Sequence, residues 1–94
     1  MAHFSWNSDK NKTLIASRGL SFEKVVLYIE NGHLLDVTKH PNTENYANQK
    51  LFIVEIDDYA YVVPFVESEN GVFLKTIIPS RKATKHYLRG AKNE

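Results

Sequence analysis

Arg81, Lys82, Lys85 and His86 follow directly behind Pro79 and Ser80. Pro has no N–H to give a ladder, and Ser accepts from the free N–H groups of a first helical turn. The order therefore predicts a strand that stops at Ile78 and a helix capped by Ser80. Cations in a first turn oppose the helix dipole, at about 0.3–1 kcal/mol each. Their concentration there points to an anion site, with phosphate as the guest. The competing reading is a charge run that only solvates a helix.

The reaction that suits these residues is RNA cleavage without a metal. It needs a base for the 2′-hydroxyl proton, cations for the pentavalent phosphate and an acid for the leaving oxygen. Arg81, Lys82 and Lys85 can supply the charge, and Arg offers a bidentate fork that Lys does not. Lys75 precedes them, and Lys12 and Arg18 join them if the first helix packs beside the sheet. His86, Tyr87 and His40 are the candidate proton carriers, although Tyr87 with Ala83, Thr84 and Leu88 also makes a packing face. Tyr46, Tyr59 and Tyr61 are candidates for stacking on bases.

Other chemistries find little support. Cysteine is absent and no histidine pair has ligand spacing, so no metal site and no cofactor is expected. The carboxylates fall in turns, which leaves a paired-acid glycosidase without a pattern. Neither a GxGxxG nor a GxxxxGK[ST] motif occurs. No apolar run reaches the roughly 18 residues of a membrane span, and the first residues lack a signal-peptide layout, so a cytoplasmic protein is expected. Net charge is only +1, but it is polarised. Residues 51–74 hold Glu55, Asp57, Asp58, Glu67 and Glu69 and no Lys or Arg, a local −5. Residues 75–94 hold Lys75, Arg81, Lys82, Lys85, Arg89 and Lys92 against Glu94, a local +5. Such a chain can turn a basic face to phosphates and an acidic region elsewhere.

The elements that must position these groups read as one domain over 1–94. Asn7 or Ser8 caps a short helix that Gly19 ends, with Leu14 and Ile15 as its narrow apolar face and Trp6 as a core anchor. Ser21 caps a second helix with Phe22, Val25, Val26 and Ile29 at helical spacing, closed by Gly32. Leu34–Val37 is a strand, followed by a polar loop over 38–48 that carries His40. Leu51–Ile56, Tyr59–Val66 and Val72–Ile78 are three further strands, turned at Asp57-Asp58 and Asn70-Gly71. Pro64 marks an edge or a bulge. The expected order is α-α-β-β-β-β-α: an α+β fold with two N-terminal helices, a four-stranded, mainly antiparallel sheet and a C-terminal helix.

Trp6, Lys10-Asn11, Leu14, Gly19 through Glu23 and Val25 resemble the opening motif of the BrnT family of bacterial toxins. The tail IIPSRKAT resembles that family's I-I-S-A-R-[KR]-A-T. The two motifs lie in the right order at opposite ends, so the resemblance spans nearly the whole chain. It implies a compact RelE-like ribonuclease fold and a toxin of a type II toxin–antitoxin system that cleaves cellular RNA. It also implies neutralisation by a co-encoded antitoxin, often of ribbon-helix-helix type, and contact with operator DNA only through that antitoxin. No membrane partner is expected, and a homodimer stays open. By motif, Arg81 matches the arginine of the S-A-R element and Lys82 the basic residue after it. Where many members carry an Arg and a late Glu, this chain has Thr76 and Tyr87. Two alternatives stand beside the toxin: a non-cleaving module that binds an antitoxin or RNA, and a repressor that binds its operator alone. The low net charge and the lack of a DNA-reading helix set the last behind the others.

Overall fold

The computed structural model describes residues 3–89. Lys92 and Glu94, counted in the basic tail above, lie outside the described residues. The fold is α+β, in three layers: two helices, a mixed sheet, and a short C-terminal helix on the opposite face.

The chain enters through β1 (Phe4–Trp6), a strand that the sequence reading does not contain. Three residues show no alternation long enough to detect. β1 pairs in parallel with β5, placing Phe4 beside Val72 and Trp6 beside Leu74. Trp6 keeps its expected role, with its ring stacked 5.6 Å from Phe22.

Two helices follow as expected. In α1 (Ser8–Arg18), the Asn7 side chain accepts from Lys10 N–H, and Gly19 closes the helix at φ 68°. In α2 (Phe22–Glu30), Ser21 accepts from Lys24 N–H. The terminator differs: Asn31 is the cap and Gly32, at φ 91°, turns the chain one residue later. Phe22 and Val25 are fully buried from α2, while α1 contributes Leu14 and Asn11.

The sheet is larger than four strands. β2 (Leu34–Lys39), β3 (Gln49–Ile56), β4 (Tyr59–Ser68) and β5 (Gly71–Leu74) run antiparallel in sequence, giving the order β1-β5-β4-β3-β2. A short β6 (Ile78–Pro79) also pairs with β4. The expected single strand over 72–78 is thus two strands, and Pro64 supplies the reason. Lys75 N–H donates to Pro64 C=O, but Pro64 has no N–H to return, so the ladder fails there. Two residues of β4 then face three of the partner, from the Lys75 contact to the Ile78–Val62 pair, which is a bulge at Thr76–Ile77. Pro64 sits in an inner strand, between β3 and β5, and not at an edge.

The alternation of β3 sorts the two faces. Phe52, Val54 and Ile56 join Phe22, Val25, Val63, Phe65, Leu74 and Ile77 in the main core under α1 and α2. Ile53 joins Ala60 and Ala83 in a smaller cluster under the C-terminal helix, with Leu35, Leu51, Val62, Tyr87 and Leu88 around it. That helix changes type along its length. α3 has one α-helical turn, Arg81–Thr84, and then widens into a π-helical turn over Lys85–Arg89.

Candidate functional site

Three bonds fix α3 on the sheet. Ser80 N–H donates to Ala60 C=O, and Ala60 N–H donates to the Thr84 hydroxyl. That hydroxyl in turn donates to Ser80 C=O, so Thr84 is buried with both roles filled. Ser80 acts as the expected cap, accepting from Ala83 N–H at 3.0 Å. With Ala83, Thr84, Tyr87 and Leu88 turned to the sheet, helical spacing sends Lys82 and His86 to one flank.

That flank overlooks a cleft of about 400 Å3. Lys82, Ala83, His86 and Tyr87 form one wall, Thr38, Lys39 and Pro41 the other, and Leu51 lies between them. The cleft is open to solvent and of a size that accepts a nucleotide-scale ligand. Lys82 brings a cation from α3, whereas Lys39 touches the cleft only at its rim, since it pairs with Lys50 and through it with Phe65 on the α1/α2 side. A second depression, of about 490 Å3, lies by the loop among Thr43, Asn48, Lys50 and Glu67. It holds an ion pair, Lys50–Glu67 at 3.0 Å, and shares Lys39 with the first cleft.

Asp36 on β2 does not line the cleft but anchors the Tyr87 hydroxyl, a role not foreseen. Tyr87 donates its hydroxyl proton to Asp36 Oδ2 at 2.6 Å. That bond, with help from Val37 N–H, holds the Asp36 carboxyl below its ordinary value, and the same bond pushes the Tyr87 hydroxyl up. Tyr87 is therefore held protonated, its proton already committed. The signal that hid Asp36 is a bulge. By alternation after Leu34, which packs into the main core, Asp36 belongs on the α1/α2 side. The β2–β3 register shifts between Leu34 and Asp36, so Leu35 and Asp36 both reach the α3 side.

The remaining candidates divide by layer. His86 is exposed beside Lys82, its ring edge-on to Tyr87 at 4.7 Å. His40 sits between two cleft residues, Lys39 and Pro41. Its Nδ1 accepts from Asn42 N–H at 3.0 Å, and its ring stacks on Tyr46 at 4.3 Å. The loop is therefore organised, and only Nε2 of His40 is free. Arg81 and Lys85 are exposed on α3 and its π turn but do not line the cleft. Lys75 stands on the α3 side, with its ammonium over the Phe73 ring. Arg18 reaches from α1 to donate to Ile77 C=O in the bulge, so it braces the strand leading into α3. Lys12 is exposed on α1, in the opposite layer. Tyr59 and Tyr61 pair with Ile56 and Val54, which sets both on the α1/α2 side.

No protein-family model, curated protein or solved structure matches this chain. The arrangement of charge therefore carries the functional reading. Among the described residues the acidic stretch is largely satisfied at home. Glu55 meets His33 at 2.7 Å, Asp57 meets Lys24 at 3.4 Å, and Glu67 meets Lys50. Lys39, Lys75, Arg81, Lys82, Lys85 and Arg89 enter no ion pair among those residues. No group of three His, Cys, Asp or Glu among them is placed to hold a metal. No helix among them is long and apolar enough to cross a membrane. The phosphate site expected at the N-terminus of the last helix has little helix behind it. One α-helical turn sums few peptide dipoles, so the positive charge on this flank comes from side chains and not from the helix end.

Proposed function

We propose that the cleft between α3 and β2 binds and cleaves an RNA phosphodiester, as the toxin of a type II toxin–antitoxin pair. The observation that supports this best is the placing of Lys82 and His86 together on one wall of a solvent-open cleft. Lys82 stabilises charge on the pentavalent phosphate. His86, free of hydrogen-bond partners among the described residues, takes the 2′-hydroxyl proton. The 2′ oxygen then bonds phosphorus, the bond to the 5′ oxygen breaks, and water in the open cleft supplies that oxygen with a proton. His40 can donate from Nε2 to a phosphate oxygen. Arg81 and Lys85 on the outer face of α3 hold flanking phosphates. The layered α+β fold and the two motifs fit a RelE-like, BrnT-type toxin, with a ribbon-helix-helix antitoxin as its partner.

Purified protein incubated with total RNA in excess chelator tests the reading. Fragments ending in 2′,3′-cyclic phosphate, lost in His86→Ala, are the expected result. Intact RNA with folded wild-type protein, or equal cleavage by both proteins, counts against it.

The second reading is a module that binds RNA or an antitoxin without cutting. The commitment of the Tyr87 proton to Asp36 favours it, because His86 is then the one proton carrier on the α3 wall. Induced expression separates the two: a cleaving toxin arrests growth, and a binding module is tolerated.

A further inference from the structure

The sheet face under α3 is only half covered. Phe73 pairs with Val66, which shares its side of β4 with Pro64 and Val62. Val62 packs in the cluster beneath α3, so Phe73 stands on the α3 side. Ile78 pairs with Val62, and the bulge at Thr76–Ile77 keeps it on that side as well. The main core under α1 and α2 takes Phe22, Phe52 and Phe65 and covers them, whereas Phe73 is 38% and Ile78 42% exposed. Lys75 Nζ lies 5.6 Å from the centroid of the Phe73 ring. Two strand spacings and a two-residue offset along β4, together about 12 Å, separate Phe73 on β5 from Leu51 on β3 at the cleft. Short single strands bridge such a distance.

An exposed apolar patch alone would suit a protein partner. The charge decides otherwise. Lys75 beside the ring and Lys82 beyond it carry no acidic partner among the described residues. An aromatic face bordered by unpaired cations matches how single strands are held, with bases on rings and phosphates on ammonium groups.

We propose that Phe73 is a stacking platform for a base of single-stranded RNA, flanked by Lys75 and Ile78, with the neighbouring phosphate held at Lys82. The proposal rests on the RNA reading of the cleft and adds a base-binding subsite to it. An incoming base displaces the Lys75 ammonium from the ring and leaves it beside the adjoining phosphate.

The test is fluorescence anisotropy with a labelled 2′-O-methyl oligoribonucleotide, which lacks the nucleophile and is not cut, beside an abasic oligomer of equal length. Wild type and Phe73→Trp should bind the base-bearing strand about 5- to 100-fold more tightly than the abasic one. Phe73→Leu should lose that preference and keep its affinity for the abasic strand. A preference unchanged in Phe73→Leu, as expected if a protein partner covers the patch, overturns the platform and leaves the cleft reading standing. Wild-type binding without preference does the same. No binding of either strand by wild type overturns both. Circular dichroism accompanies each variant, and if Leu unfolds the sheet the wild-type comparison alone still decides.

Discussion

Asn11 and Tyr87 show at the residue scale how much a side chain's role depends on what folding sets against it. Asn11 looks like one more polar residue around a narrow helix face. It is buried, accepts from Phe22 N–H at 2.8 Å and donates to Glu23 at 2.8 Å, so it staples α1 to the start of α2. The bond to Asn11 is also the first reason why the Glu23 carboxyl sits below its ordinary value. Asn11→Ala strands the buried Phe22 N–H and should cost about 1–3 kcal/mol in urea unfolding. Tyr87 makes a prediction in pH. The Asp36 value is depressed, so its contribution is present above the unfolded carboxyl value and is lost as pH falls through the folded one. The Tyr87 value is raised, so its contribution is present below the unfolded phenol value, near 10, and is lost as pH rises through the folded one. The melting temperature of Tyr87→Phe should therefore fall furthest below wild type at neutral pH, with the gap closing in acid and in strong base. A gap independent of pH would mean that the pair does not titrate with the fold.

At the scale of elements, the legible parts were those with long periodicity or strong punctuation. Both N-terminal helices with their N-caps, the turn at Asp57-Asp58, the Asn70-Gly71 hairpin and the Ser80 cap all follow from local chemistry. Both bulges invert a period-2 pattern, and the one in β2 has no residue type to announce it. One brings Asp36 to the α3 side, and the other brings Ile78 there. Only Pro64 hinted at the second. The π-helical turn after Thr84 was equally hidden. The Asp57-Asp58 turn makes its own prediction. Both residues have positive φ, 54° and 68°, where glycine suits the second position better. The Asp58 side chain forms no hydrogen bond or ion pair among the described residues, while its N–H donates to Glu55, a bond that glycine keeps. Asp58→Gly should raise stability by about 0.5–1 kcal/mol in denaturant unfolding. A destabilised variant would show that the left-handed backbone carries no strain here.

For the whole molecule, charge is segregated by pairing as well as by sequence. Lys24 and Lys50 neutralise acids of the central strands and turns and His33 hydrogen-bonds Glu55, whereas Lys75, Arg81, Lys82, Lys85 and Arg89 enter no ion pair among the described residues. The sequence showed the −5 and +5 blocks but not this division, because the pairs join residues 17 to 33 positions apart. If the free cations serve RNA, binding of an uncut strand should weaken as salt rises. Removing one phosphate contact should flatten the log–log slope by about 0.7. The most direct test is the cleavage rate of a labelled oligoribonucleotide by wild type, Lys82→Ala and Lys24→Gln. Lys82 lines the cleft, whereas Lys24 carries the same charge on α2 and pairs with Asp57. The account predicts that Lys82→Ala slows cleavage about 100-fold or more, and that Lys24→Gln cuts at the wild-type rate. Equal rates for all three proteins, or a loss confined to Lys24→Gln, would contradict it.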